Sequence, residues 1–394
     1  MKMKLASWLS LWILWMAVPA RAGDMEDAAR GYNGLGFQLL AQCRQSLPKT
    51  NYFLSPTGLG FALAMAGNGA QGETLRQIMG TLQAGDMPLE RLNEANRELL
   101  DHLTKLDPKI KLEIANSIWI DQKAAIKPDF ISIVRRDYDA GAANGDFQDP
   151  AIVKKINKWV SAKTHEKIPA ILEPPLNPLL RLILLDAIYF KGDWQAQFDA
   201  KLTRDLPFTP GNGQTMQHPR MSRAGHYAYC ENDRFQAAEL PYAGGEMSML
   251  VFLPRGGLDE FLKNFTAKDF EDAIQRMSSR EGTVELPRFK LENEYNLTDV
   301  LPPMGMPLAF TGAADFGAMS DEPLHIGFVK QKTYVAVNEQ GTEAAAVTAI
   351  GFRAMAVRRE EPPFHLAVDR PFFMAIRERQ TGLILFLGAI SDPR

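Results

Sequence analysis

At 394 residues, with 46% hydrophobic and 23% charged residues, the chain has the composition of a globular protein with enough apolar material for a sizeable core. Its formal charge of −3 argues against nucleic acid or an anionic membrane as the main partner. Cys43 and Cys230 offer no metal-ligand spacing and read as separate small core residues, although export would permit a disulfide between them.

Lys2 and Lys4 precede an apolar run from Trp8 to Val18, and Ala20-Arg21-Ala22 follows it. A basic start, an apolar run too short for a comfortable span and an A-x-A ending read as a secretory signal over 1–22, cleaved near Ala22; a membrane anchor is the alternative. Cleavage removes Lys2, Lys4 and Arg21 and no acid, moving the charge from −3 to −6. The expected location is therefore secreted or periplasmic, with no membrane contact by the mature form. No cysteine stands in the cleavage region to carry a lipid.

Residues 24–47 suit an amphipathic helix, with Tyr32, Leu35, Phe37, Leu39, Leu40 and Cys43 as its apolar positions. A short strand at 51–54 ends at Ser55-Pro56, and 59–66 is apolar on every side, as a buried helix is. After a glycine-rich break at 67–72, amphipathic helices follow at 73–82 and 89–106. The second carries Glu90, Arg91, Glu94, Arg97, Glu98, Asp101 and Lys105, a mixed-sign solvated face. A strand is expected at 112–120, helices at 128–137 and 149–165, and a central strand at 181–190.

From Phe208 to Leu253 short apolar segments between turn residues read as several antiparallel strands. Helices at 258–265 and 268–277 and a strand at 284–289 come next. Val329, Gln331, Thr333, Val335 and Val337 then share one face of another strand. Two final strands are expected at 364–376 and 383–390. With no internal repeat and no low-complexity linker, 23–394 reads as one mixed α+β domain.

The usual enzyme motifs are absent: no G-x-S-x-G, phosphate-binding G-x-x-x-x-G-K, G-x-G-x-x-G after a strand, H-E-x-x-H or C-x-x-C. The six histidines, His102, His165, His218, His226, His325 and His365, are scattered, and His165-Glu166 lacks a second histidine one turn on. No metal or cofactor is expected. A hydrolase is the enzyme-class alternative, through carboxylates that could pair in space. Asn264-Phe265-Thr266 and Asn296-Leu297-Thr298 match the glycan acceptor pattern and are surface-loop hints.

The segment 335–359 has two conflicting readings. By propensity Thr342 is a helix N-cap, Glu343 falls in the first turn, and Ala344, Ala345 and Ala346 are strong helix formers. The same small residues also suit a segment that changes its state. The surrounding motifs favour the second reading. N-E-Q-G-T-E-A-A-A at 338–346 and L-A-V-D-R-P-F-F-M-A-I at 366–376 resemble the hinge and C-terminal signature of the serpin family. So do F-L-S-P at 53–56, G-A-Q-G-E-T at 69–74, A-N-S-I-W at 115–119, I-Y-F-K-G-D-W at 188–194, E-L-P-Y at 239–242 and F-G-A-M-S at 316–320, all in the family's order.

The resemblance implies a serpin fold: a central five-stranded mixed sheet, additional antiparallel sheets, about nine helices and an exposed reactive-centre loop at about 341–361. It also implies a monomer that can polymerise by loop–sheet linkage. The partner is a serine protease, which forms an ester with the loop and is trapped when the cut loop inserts into the central sheet. Serpin loop insertion is an established example of strand addition. The resemblance places the hinge at Glu339, Gly341, Thr342, Glu343, Ala344, Ala345, Ala346, Val347 and Thr348. Thr342, Ala344, Ala346 and Thr348 are small and uncharged, as entry into a sheet requires, while Glu343, Ala345 and Val347 face outward by alternation. Net sheet hydrogen bonds of about 0.5–1.5 kcal/mol per residue over roughly a dozen residues supply on the order of 10 kcal/mol.

Family spacing from Glu339 puts the scissile bond at Met355–Ala356, or one residue earlier at Ala354. Both favour an elastase-like or chymotrypsin-like target; Arg353 or Arg358 would serve a trypsin-like one. Ser55, Gly58, Asp186 and Gln331 fall where the sheet is thought to open. Gly58, Asp186 and Gln331 stand where the family often has serine, asparagine and histidine. Glu339 and Arg288 match an ion pair near the top of the sheet, beside Trp194. A non-inhibitory serpin, a binding or chaperone-like protein, is the alternative, and bulky or charged hinge residues would mark it.

Overall fold

A computed structural model describes residues 23–342 and 362–394. Helices dominate the first part: α1 (Asp24–Ser46), then the short strand β1 (Tyr52–Leu54), α2 (Pro56–Gly69), α3 (Gly72–Leu82) and α4 (Leu89–Leu103). There follow β2 (Ile110–Asp121), α5 (Pro128–Tyr138), β3 (Gly141–Gly145), α6 (Ala151–Lys163) and β4 (Leu182–Asp193). The middle is β5 (Arg204–Phe208), β6 (Met216–Glu231), β7 (Phe235–Pro241), β8 (Met247–Pro254), α7 (Leu258–Lys263) and α8 (Ala267–Arg276). The last part is strand: β9 (Ser278–Pro287), β10 (Phe289–Asn296), β11 (Phe328–Val337), β12 (Gly341–Thr342), β13 (Phe364–Ala367), β14 (Phe372–Glu378) and β15 (Ile384–Ile390).

These strands form two sheets. One runs β1-β15-β14-β8-β7-β6-β9-β13, with β5 attached to β6. The other, central sheet runs β10-β11-β12-β4-β2-β3, and below the two-residue β12 the strands β11 and β4 pair directly and in parallel. The central sheet is therefore four long strands and the five-residue β3, with a sixth, very short strand wedged into its top. The fold is α+β, with eight α-helices and three short 3-10 turns among the described residues, against the expected nine or so helices.

Alternation along the central strands separates two apolar layers. Leu182, Leu184, Ile188 and Phe190 of β4 face the main core and the buried helix α2, while Ile183, Leu185, Ala187 and Tyr189 face α6. On β11, Val329, Val335 and Val337 join the main core, with Gln331 and Thr333 buried on the same side. One face of β4 thus lies under α2, and the other belongs to the layer that α6 and the segment after it form with β2 and β4.

Several expected boundaries move. Helix α2 begins at Pro56, with the Ser55 side chain accepting from Gly58 N, and runs to Gly69 through the expected glycine break. Burial on every side supports it where propensity does not. Helix α4 ends at Leu103, not 106. Strand β3, made of small residues without a pattern, was not expected, nor was β10, whose buried Phe289, Leu291 and Tyr295 alternate with charged residues. The single strand expected at 364–376 is two, β13 and β14, divided before Pro371; a proline cannot donate to a ladder. Thr342 itself is strand-paired on both sides, and the helix that propensity would start after it lies outside the described residues.

Cys43 and Cys230 are free thiols, and burial pushes them up to about 12 and about 11. No described helix is long and apolar enough to cross a membrane.

Candidate functional site: the head and seam of the central sheet

The head of the seam is built around β12. Gly341 pairs with Asp193 and Thr342 with Gly192 on β4, while Thr342 also pairs with Val337 on β11. Both pairings are antiparallel, whereas β4 and β11 are parallel to each other. A Cβ at Gly341 would overlap the carbonyl oxygen of Gly192, so only glycine lets the chain turn this closely into the sheet. Thr342 is 0% exposed, and its hydroxyl lies 2.7 Å from that of Tyr242.

Three further contacts fasten the turn that feeds β12. Trp194 Nε1 donates to Asn338 O at 2.9 Å, Trp194 N to Gln340 O at 2.7 Å, and Phe198 N to Glu339 O at 2.9 Å. The Trp194 ring stacks on Tyr242 with centroids 4.6 Å apart. Buried Glu339 accepts from Arg288 Nε at 2.7 Å and from the Thr203 hydroxyl. Burial works to raise its carboxyl, but the Arg288 and Thr203 hydrogen bonds outweigh burial and hold it below its ordinary value.

Midway down the seam, Asp186 on β4 is the register partner of Gln331 on β11 and of Asn116 on β2. Gln331 Oε1 accepts from Ser55 N at 3.0 Å; its Nε2 donates to Ser55 O at 2.8 Å and to Asp186 Oδ2 at 2.6 Å. Asn116 Nδ2 donates to Gly58 O at 3.0 Å. One polar cluster therefore ties the start of α2 to three central strands. A Cβ at Gly58 would overlap both carboxylate oxygens of Asp186, so the glycine makes the room that the carboxylate occupies.

The structure thus gathers the expected residues into two groups. Glu339, Gly341, Thr342, Trp194 and Arg288 meet at the head, and Ser55, Gly58, Asp186 and Gln331 meet at the seam. Glu343, Ala344, Ala345, Ala346, Val347 and Thr348 of the hinge lie outside the described residues, as do Arg353, Ala354, Met355, Ala356 and Arg358. Sequence reasoning gave no site role to Tyr242, Phe198, Thr203 or Asn116. Asn116 had a signal, as the one polar residue in the apolar alternation Ile114, Asn116, Ile118. Thr203 had none.

A family model described as Serpin (serine protease inhibitor) matches residues 30–393. The chain belongs to the serpin family. Iripin-3 of Ixodes ricinus is 35% identical over 98% of this chain and 99% of that protein. The leukocyte elastase inhibitor of Xenopus tropicalis is 33% identical over 94% of this chain and 100% of its own length. Among solved structures, the native state of the thermophilic serpin Tengpin superposes with a TM-score of 0.84 at 28% identity, covering 95% of this chain and 97% of that one. Serpins are in general protease inhibitors rather than enzymes, and they form complexes with their target proteases. Gly341 and Thr342 of this serpin lie between β4 and β11, which pair in parallel below them.

Proposed function

We propose that the protein is an exported, single-use inhibitor of an elastase-like or chymotrypsin-like serine protease. The observation that carries this reading is β12: the first hinge residues already sit between β4 and β11, in the antiparallel sense that a longer inserted strand would continue. Full insertion would replace the parallel pairing from Phe328↔Ile183 to Tyr334↔Tyr189 by two antiparallel ladders. One ladder is lost and two of a slightly stronger kind form. Each added residue contributes net hydrogen bonds of about 0.5–1.5 kcal/mol.

The chemistry before insertion is ordinary acyl transfer. The serine hydroxyl of the protease attacks the carbonyl carbon of Met355 and loses its proton to the protease's own base. The Met355–Ala356 amide breaks, Ala356 leaves as a free amine carrying a proton, and Met355 remains as an ester on the protease. Insertion of the hinge then carries that ester along the sheet and distorts the attached protease before water can cleave it.

The small hinge residues, the basic and apolar start of the chain, and the name of the leukocyte elastase inhibitor relative support this reading. Mixing the protein with elastase-like, chymotrypsin-like and trypsin-like proteases tests it on a denaturing gel. A detergent-resistant complex with one of the first two is expected. Simple cleavage by every protease would overturn the inhibitor reading, and a complex with the trypsin-like enzyme alone would move the scissile bond to Arg353 or Arg358.

A further inference from the structure

Asn116, Asp186 and Gln331 form a row across the α2 face of β2, β4 and β11. Gln331 spends its amide on Ser55 and on Asp186 Oδ2, and Asn116 spends its NH2 on Gly58 O. Two oxygens are left over. Asp186 Oδ1 and Asn116 Oδ1 are both buried without a hydrogen-bond partner, in residues that are 1% and 2% exposed. Turning the Asn116 amide over gives no remedy, because its nitrogen would then be lost to Gly58 O. Two neighbouring acceptors cannot satisfy each other, but a single proton on the carboxyl makes one of them a donor.

No counter-charge faces the carboxyl. The α2-facing positions of β2 are Ile110, Leu112, Ile114, Asn116, Ile118 and Ile120, and those of β11 are Val329, Gln331, Thr333, Val335 and Val337. Helix α2 carries no ionisable residue. Lys330 and Lys332, which flank Gln331, point to the α6 side and pair there with Glu294. Glu113, Lys111 and Lys191 also fall on that other side by alternation. Asp186 is the one titratable group on this face of β2, β4 and β11.

We propose that Asp186 holds a proton in the closed sheet, donated toward Asn116 Oδ1, and that losing this proton loosens the β4–β11 seam, so that strand insertion is gated by pH. The inference rests on the reading of the chain as a loop-inserting serpin. Its working range lies near neutrality, because burial pushes the carboxyl up to about 7 against the opposing hydrogen bond from Gln331. The sign follows from the raised value. Stability from the protonated form is full below the unfolded-state value and is lost as pH rises through about 7. Opening the seam admits water to the charged carboxylate, so opening becomes easier over the same range and levels off above it.

The test uses the full chain and a synthetic peptide with the sequence of residues 342–353, which should add to the open seam as a strand. Its rate of uptake should rise at least about fivefold between about pH 5.5 and about pH 7.5 in the parent protein and stay flat in Asp186→Asn. Equal pH profiles for parent and variant, or no uptake at either pH, would overturn the proposal. Infrared spectroscopy of the parent covers the case in which the variant does not fold. A buried carboxylic-acid carbonyl band should be present at about pH 5.5 and vanish above about pH 8, and its absence at the lower pH would overturn the proposal. Cutting the loop separates this idea from the reading beneath it. If cleavage leaves the unfolding temperature unchanged, loop insertion itself fails. If cleavage raises it while peptide uptake ignores pH, only the role of Asp186 fails.

Discussion

The hydroxyls of Tyr242 and Thr342 lie 2.7 Å apart in a site closed to water, and this pair holds β12 at the head of the seam. Burial raises the Tyr242 hydroxyl well above its ordinary value, which keeps it neutral and able to donate or accept. The anchor is shaped for a small side chain: Thr342 sits between two strands beneath the Trp194–Tyr242 stack.

Thr342→Arg should therefore turn the inhibitor into a substrate. A guanidinium forced into this site loses its water without gaining a partner, which costs several kcal/mol and slows insertion. The protease then completes hydrolysis before it is trapped. The number of inhibitor molecules consumed per protease should rise at least about threefold, corresponding to less than 1 kcal/mol of lost kinetic advantage. An unchanged ratio would remove Thr342 from the hinge. Tyr242→Phe should be milder, lowering the stability of the uncut protein by about 1 kcal/mol in denaturant unfolding.

The pair between Glu339 and Arg288 should act only while Glu339 is ionised. Its carboxyl is held below the ordinary value, so its contribution is present above the unfolded-state value and is lost as pH falls through the folded one. Arg288 is half exposed, which limits the effect of breaking the pair to about 1 kcal/mol. Unfolding of Glu339→Gln and the parent should differ at about pH 7, and the gap should close as pH falls through the lowered folded-state value. A gap that persists in acid would mean that Glu339 acts by packing.

Met355→Arg should redirect the inhibitor. An apolar specificity pocket desolvates an arginine without a counter-charge, while a trypsin-like pocket supplies one. Association with elastase-like and chymotrypsin-like enzymes should fall by roughly two orders of magnitude, and a complex with a trypsin-like enzyme should appear. If the cut in the parent protein, located by mass spectrometry, falls after Ala354, the same substitution at 354 should produce the switch instead.

Much of this architecture was legible because side chains announce it. Val329, Gln331, Thr333, Val335 and Val337 alternate as a strand must, and β11 is where they put it. Strand β3 was not legible, since Gly141 to Gly145 has no bulky side chains to pattern and is placed by pairing with β2. The strand pairing of Thr342 with Gly192 and Val337 was not legible either, because local preference at Thr342 announces a helix cap and carries no sign of those two partners. The departures Gly58, Asp186 and Gln331 could be read from the chain one at a time. Their dependence on one another could not, because it is a matter of shared volume across α2, β4 and β11.

That shared volume yields a prediction in which two substitutions must be read together. A side chain at position 58 would strike the Asp186 carboxylate, so Gly58→Ser alone should destabilise the protein by about 1–3 kcal/mol. Asp186→Asn alone keeps the shape and supplies an NH2 group that can face Asn116 Oδ1, which is without a partner. Either side chain must shift to admit a serine, and an uncharged asparagine loses less than a carboxylate when it is moved off the hydrogen bond from Gln331. The double variant Gly58→Ser with Asp186→Asn should therefore recover at least about 1 kcal/mol relative to the sum of the single effects. Denaturant unfolding of the four proteins at about pH 7.5 measures this coupling. Additive effects would show that glycine and aspartate arose here independently, and that the room beside Gly58 is not what lets Asp186 occupy the seam.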